Sequence, residues 1–295
     1  MDATPGIPAS GEAPGTCVAR IESMAAVERT PCGDGAVVWR IWGGGPPLVL
    51  LHGGHGAWSH WIRNIPVLSL HFTLYVPDLP GYGDSDMPPE PCDGPAIARA
   101  VGDGIDRLLP PGAAYDLAGF SFGGIIGSRV AVEQGARLRR LVVIGSSGLG
   151  LPRVEMPRLQ KWTPDMSEDA LRDIHRHNMS VIMFADASNI DALALYLQTT
   201  NTLRARNRGS AIARSDLLRQ SLPHIAGRVL CLSGARDIYV EANLEARKAL
   251  FRTVQPDTPF DFVPDAGHWA MYEQPAAFNT ALLGLLGGDA TAGAG

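Results

Sequence analysis

Between Val37 and Val263 short apolar runs recur, with segments long enough for helices between most of them. The runs are Val37–Trp42, Leu48-Val49-Leu50-Leu51-His52, Phe72–Val76, Asp116-Leu117-Ala118, Leu141–Ile144, Val229–Leu232 and Phe260–Val263. A strand that is apolar at nearly every position has no polar face to offer to water, so both of its sides must be covered. Helical segments at roughly 95–109, 123–136, 241–252 and 271–286 fill the gaps. Strand, helix, strand in alternation gives an α/β fold: a mostly parallel central sheet with helices on both faces.

One interval breaks this rhythm. About 84 residues separate Ile144 from Val229, far more than one crossover helix needs. The stretches 166–184 and 188–208 are each long enough for a helix, and the interval reads as a helical insertion set on the sheet. The expected organisation is a flexible leader over 1–20, an α/β core over 21–148 and 225–287, a cap insertion over 149–224 and a flexible tail over 288–295. Both ends are assigned from their Pro, Gly, Ala and Ser content.

Composition excludes several functions. Hydrophobic residues make up 45% and charged residues 19%, which is not the balance of a disordered chain. A net charge of −5 and the absence of any Lys/Arg-rich block leave no docking stripe for nucleic acid. No run of about 18 apolar residues predicts a membrane span, and the opening stretch lacks a signal-peptide pattern. A cytoplasmic location is expected, and the oligomeric state is left open, a homo-oligomer included. Cys17, Cys32, Cys92 and Cys231 form no C-x-x-C pair, which argues against a zinc site or a disulfide framework. His175 and His177, two apart on a helix, point in different directions, so no metal site is expected. Gly81-x-Gly83 lacks the third glycine of a dinucleotide fingerprint and no P-loop is present, so no cofactor is implied.

The sharpest local signal is Gly119-Phe120-Ser121-Phe122-Gly123, which follows a strand and opens a helical stretch. In that context G-x-S-x-G forms a strained turn that exposes the serine at a helix N-terminus, where negative charge is stabilised. A serine hydroxyl needs a base. His268 follows the last strand and Asp237 follows the Val229 strand, which puts both at the carboxyl rim of the sheet together with Ser121. Asp265 and Asp261 compete for the acid role, but Asp265 would need a tight loop and Asp261 lies within a strand. His52-Gly53-Gly54-His55-Gly56 follows the Leu48 strand, and the backbone N–H groups of Gly54 and Phe122 are candidates for holding an oxyanion. His52 reads as a buried structural histidine, and His55 faces either the pocket or solvent.

With the chain order Ser121…Asp237…His268, the sequence resembles the α/β-hydrolase fold superfamily with a helical cap, from about Val37 to Leu286. Asp78-Leu79-Pro80-Gly81-Tyr82-Gly83-Asp84-Ser85 is similar to a loop common in that superfamily. Trp58-Ser59-His60-Trp61-Ile62-Arg63-Asn64 and Gly267-His268-Trp269-Ala270 add a partial resemblance to meta-cleavage product hydrolases, which cut carbon–carbon bonds in aromatic ring-fission products. Two positions depart from that subfamily: Phe120 stands where those enzymes carry Asn, and Gln198 where they carry a cap arginine.

The resemblance implies a Ser121–His268–Asp237 triad, an oxyanion hole at Gly54 and Phe122, and a small apolar or aromatic substrate. Gly53, His55, Phe120, Met183, Gln198 and Trp269 are the expected substrate contacts. Arg204, Arg206 and Arg208 are either a solvated cap face or a fork for a substrate carboxylate. The leading expectation is a serine hydrolase cleaving a small, largely apolar carboxylic ester. A C–C bond hydrolase and a ligand receptor with a slow triad are the alternatives.

Overall fold

The computed structural model describes residues 11–152, 155, 158–207 and 210–287. Its sheet has eight strands, β1 (Ala26–Cys32), β2 (Gly35–Trp42), β3 (Pro47–Leu51), β4 (Thr73–Pro77), β5 (Tyr115–Phe120), β6 (Leu138–Ile144), β7 (Arg228–Gly234) and β8 (Phe260–Val263). They run in the order β1-β2-β4-β3-β5-β6-β7-β8. β1 and β2 are antiparallel to their neighbours, and every pairing from β4 to β8 is parallel.

The helices are α1 (Pro14–Glu22), α2 (Ile65–Leu68), α3 (Gly94–Leu108), α4 (Phe122–Gln134), α5 (Glu168–Ile182), α6 (Ala192–Leu203), α7 (Ser210–Ala213), α8 (Leu217–Ser221), α9 (Ile238–Glu241), α10 (Leu244–Val254), α11 (Ala270–Glu273) and α12 (Pro275–Gly287). Side chains alternate across each strand, so one run supplies two cores. Leu48 and Leu50 of β3 join Ala118, Leu230 and Leu232 in a core closed by Ile21 of α1 and Phe278 and Leu282 of α12. Val49 and Leu51 join Leu117, Leu141 and Val229 on the other face, beneath Val101 of α3, Ile126 of α4 and Phe251 of α10. All six residues of β5 are buried, Asp116 among them, where Arg139 and Arg140 pair with its carboxylate.

The long interval between β6 and β7 carries α5 to α8. Ser167 caps α5 by accepting from the Ala170 N–H at 3.3 Å, with Glu168 and Asp169 in the first turn. Asp191 caps α6 through the Ala194 N–H at 2.8 Å. Met179, Phe184, Leu193 and Leu197 of this insertion continue the α12-side core, so the cap is anchored by apolar packing.

The helix expected over 271–286 is split into α11 and α12, and two further elements were not expected. Residues read as part of a flexible leader form α1, which starts on Pro14 and buries Cys17 and Ile21 one turn apart. Its apolar stripe is only two residues long and sits in Pro/Gly/Ala/Ser-rich chain, so composition masked it. β1 also went unforeseen. It is an edge strand whose first four residues are exposed and whose Pro31 forms part of the register, so it has no apolar run to announce it. Residues 1–10 and the expected tail at 288–295 lie outside the described residues.

Candidate active site

Ser121 follows β5 and precedes α4, with φ +51° and ψ −113°, a conformation strained for a residue with a side chain. Its neighbours explain why the turn tolerates only glycine. A Cβ on Gly119 would lie 2.5 Å from the Gly123 carbonyl oxygen, and one on Gly123 would lie 2.5 Å from the Leu51 carbonyl oxygen. The Ser121 N–H is tied to the Ile144 carbonyl at 2.7 Å, which fixes the turn against β6. The α4 N-terminus therefore opens directly at the serine.

Asp237 and His268 reach the same rim from β7 and β8. His268 Nε2 lies 3.1 Å from Ser121 Oγ, and His268 Nδ1 lies 2.9 Å from Asp237 Oδ2. With Nδ1–H donating to the carboxylate, Nε2 is left to accept from the serine hydroxyl. Asp237 is 0% exposed, and its Oδ1 accepts from the Tyr239 N–H at 2.9 Å as the N-cap of α9. Asp265 and Asp261 are both exposed, and neither joins this chain of hydrogen bonds. Of the three competing carboxylates, Asp237 is the one brought to His268.

Gly54 and Phe122 are also brought together: a Cβ built on Gly54 would lie 3.8 Å from the Phe122 Cβ. The Gly53 N–H points elsewhere, donating to His60 Nδ1 at 3.3 Å. His52 is fully buried. Its Nε2 accepts from the Leu79 N–H at 2.9 Å, and its Nδ1 donates to the Gly53 carbonyl at 2.7 Å. Burial pushes its pKa down, partly offset by Asp78, so it acts as a neutral brace for the glycine turn.

A cavity of about 290 Å³ stands over Ser121 and His268. Gly53, His55, Phe120, Met183 and Gln198 line it as expected, with His55 at φ +55° on the exposed rim. Trp269 does not line it, which corrects the expectation. The Trp269 N–H donates to the Met183 carbonyl at 2.8 Å and the indole turns inward, with Nε1 donating to the His60 carbonyl at 3.2 Å. It is 0% exposed and packs on His60 with ring centroids 5.0 Å apart.

The sequence reading missed His60, Tyr82, Asn178 and Tyr239, all of which line the cavity. His60 lay within the quoted Trp58–Asn64 motif, but nothing in the motif says which way the ring points. Burial, with His52, His268 and His55 nearby, pushes its pKa well below the ordinary value. Tyr239 packs on His268 and also lines a second cavity of about 330 Å³, which shares Ser147 and Ala213 with the first.

Arg204 and Arg206 line neither cavity. Arg204 pairs with Asp84, and Arg206 donates to the Ser85 carbonyl, so both fasten the cap to the Asp78–Ser85 loop. Both residues are exposed, as a solvated cap face requires, and neither forms a fork in the cavity. Arg208 lies outside the described residues. Gln198 donates Nε2–H to Thr202 Oγ1 at 3.0 Å while lining the cavity. Among the described residues no helix is long and apolar enough to cross a membrane.

An eight-stranded, mostly parallel sheet with a serine elbow, a histidine and a carboxylate gathered at its carboxyl rim is the architecture of an alpha/beta hydrolase. A model of the alpha/beta hydrolase family matches residues 48–281, and the chain belongs to that family. Among its relatives is a pimeloyl-(acyl-carrier protein) methyl ester esterase of Klebsiella pneumoniae subsp. pneumoniae. The two are 30% identical over 247 residues, covering 81% of this chain and 92% of the relative. Among solved structures, an enol-lactonase of Burkholderia xenovorans superposes with a TM-score of 0.69 at 22% identity, covering 88% of this chain and 100% of that one. A meta-cleavage product hydrolase of Pseudomonas fluorescens superposes with a TM-score of 0.69 at 20% identity, covering 88% and 97%. The structural likenesses speak for the fold.

Proposed function

We propose that the protein is a serine esterase acting on small, largely apolar carboxylic esters. One observation carries this reading: a continuous Ser121–His268–Asp237 hydrogen-bond chain, with links of 3.1 Å and 2.9 Å, at the floor of a mostly apolar cavity. Ser121 Oγ attacks the ester carbonyl as His268 Nε2 takes its proton, and the charge that develops on the carbonyl oxygen is held by the Gly54 and Phe122 N–H groups. The imidazolium, steadied by Asp237, returns the proton to the departing alcohol. Water then repeats the sequence on the acyl-enzyme, releasing the acid and restoring Ser121.

The adjoining cavities provide for the two sides of an ester, with Tyr239, Ser147 and Ala213 on the wall they share. The similarity to a methyl ester esterase supports an ester over other acyl derivatives. The first cavity contains no arginine or lysine among the described residues. Within that cavity a dienoate carboxylate would meet the Gln198 amide, while the guanidinium groups of Arg214 and Arg247 line the second cavity.

Turnover of p-nitrophenyl acetate and butyrate, run beside a ring-fission dienoate with Ser121→Ala as control, tests the assignment. Rapid multiple turnover of the esters and an inert dienoate is the expected result. Dienoate cleavage with inert esters would replace the ester reading by the C–C one. Binding without repeated turnover would instead indicate a receptor.

A further inference from the structure

Arg247 of α10 lines the second cavity and is a buried cation to which the steps above give no role. It is 8% exposed, and both of its terminal nitrogens are committed to backbone carbonyls. Nη1 donates to the Ser146 carbonyl at 2.6 Å and Nη2 to the Tyr239 carbonyl at 2.8 Å, while Nε has no partner among the described residues. A buried cation held by neutral carbonyls alone is costly unless a nearby charge offsets it. Burial pulls the guanidinium pKa down, and the carboxylate acting against that pull is Asp237, itself wholly buried.

The two carbonyls belong to the two segments that clasp the acid–base pair. Gly145, one residue before Ser146, has φ +56°, and a Cβ on it would lie 2.7 Å from Asp237 Oδ2 and 3.1 Å from His268 Nδ1. Tyr239 gives its N–H to Asp237 and lays its ring on the His268 imidazole. A single planar fork thus ties the loop after β6 to the first turn after β7, a span that a point-charge ammonium does not reproduce.

We propose that Arg247 is a positioning residue of the active site. It locks both segments around Asp237 and His268, and its fixed positive charge offsets the buried Asp237 carboxylate. This rests on the triad reading above. The titratable groups around His268 are Asp237 after β7, Tyr239 of α9 and His60 ahead of α2, with the buried Glu273 of α11 holding the neighbouring Gly267 N–H at 2.7 Å and Cys231 of β7 beside Arg247. Burial pushes the Tyr239 phenol up to about 12, pushes the Cys231 thiol up, and pushes His60 down. All three are therefore uncharged at neutral pH, and Arg247 is the cation that acts on Asp237, the carboxylate bonded to His268. Removing the positive charge makes His268 easier to protonate.

The test compares Arg247→Met and Arg247→Lys in the full chain, reading kcat/KM for p-nitrophenyl butyrate from roughly pH 5 to 9. Thermal unfolding verifies that each variant is folded, and Arg247→Gln replaces the Met variant if it is not. The charge-free variant is expected to move the acidic limb upward by about half to one pH unit. Its kcat should fall. Lys should return the limb to the wild-type position without full kcat, because it cannot span both carbonyls. A folded charge-free variant whose limb has not moved overturns the proposal, as does a Lys variant whose limb matches it. The same shift is read without turnover from an NMR titration of the His268 imidazole. An inactive wild type with a shifted titration would therefore defeat the esterase reading alone.

Discussion

The ring of Tyr239 lies on the imidazole of His268, with centroids 4.5 Å apart and planes inclined at 56°. Tyr239 is two residues beyond Asp237, so the segment that supplies the acid also covers the base. Such a contact restrains the imidazole against turning away from Ser121. Aromatic contacts of this kind contribute about 0.5–1.5 kcal/mol, so Tyr239→Ala should lower kcat by about tenfold or less. Tyr239→Phe, which keeps the ring, should stay close to wild type in steady-state assays. Equal losses in the two variants would assign the effect to the hydroxyl instead.

The acid assignment separates cleanly by substitution. Asp237→Asn should lower kcat by about 10⁴, the loss expected when the orienting carboxylate of a triad becomes an amide. Asp265→Asn should leave ester turnover unchanged, since Asp265 is exposed and is not a link of that hydrogen-bond chain. The opposite pattern in kcat would move the acid role to Asp265.

Strain at the serine turn predicts a trade between stability and activity. With φ +51° at Ser121, the left-handed backbone costs about 1–3 kcal/mol for a residue with a Cβ. Ser121→Gly removes that strain along with the hydroxyl, so it should abolish hydrolysis and raise stability by about 1 kcal/mol. Ser121→Ala should be equally inactive without the gain. Chemical denaturation of the three proteins measures the difference, and a Gly variant less stable than Ala would show that the turn is not strained.

Buried neutral histidines make the fold acid-sensitive. His52 and His60 have pKa values pushed below 6.5, chiefly by burial, so the unfolded chain binds protons that the folded chain does not. Their stabilising contribution is whole above about pH 6.5 and is lost as pH falls below it, at up to about 1.4 kcal/mol per pH unit for each histidine. Melting temperature should therefore drop between about pH 6.5 and 5. His60→Gln should flatten that dependence even if it lowers stability overall, and an unchanged slope would exclude His60 as a source.

The cap arginines give a smaller effect. Arg206→Gln removes a tie to the Ser85 carbonyl rather than a cavity wall, so KM for neutral esters should hold while the cap becomes easier to cleave by protease. A raised KM with unchanged proteolysis would return Arg206 to the substrate.

Much of this arrangement is legible in the sequence. Ser121 announced itself because steric demands at Gly119 and Gly123 leave a five-residue signature, and Asp237 and His268 because parallel strands deliver the residues after them to one rim. Side-chain direction was not legible. Trp269 adjoins His268, yet its N–H is claimed by Met183 and its indole by His60, contacts across 86 and 209 positions that proximity in sequence cannot reveal. Tyr239 and Arg247 were passed over for the same reason, since the ring of one meets the His268 imidazole and the fork of the other reaches the Ser146 carbonyl 101 positions away. α1 and β1 were hidden because one buries only two apolar residues and the other is an exposed edge.

The most direct measurement follows p-nitrophenyl butyrate with wild type and Ser121→Ala, combining release of the phenol with intact mass of the protein during turnover. Sustained hydrolysis by wild type, a transient mass increase of one butyryl group, and neither in the Ser121→Ala variant is the predicted result. Hydrolysis that survives Ser121→Ala, or a folded wild type that neither turns over nor acylates, would contradict the assignment of Ser121 as the nucleophile.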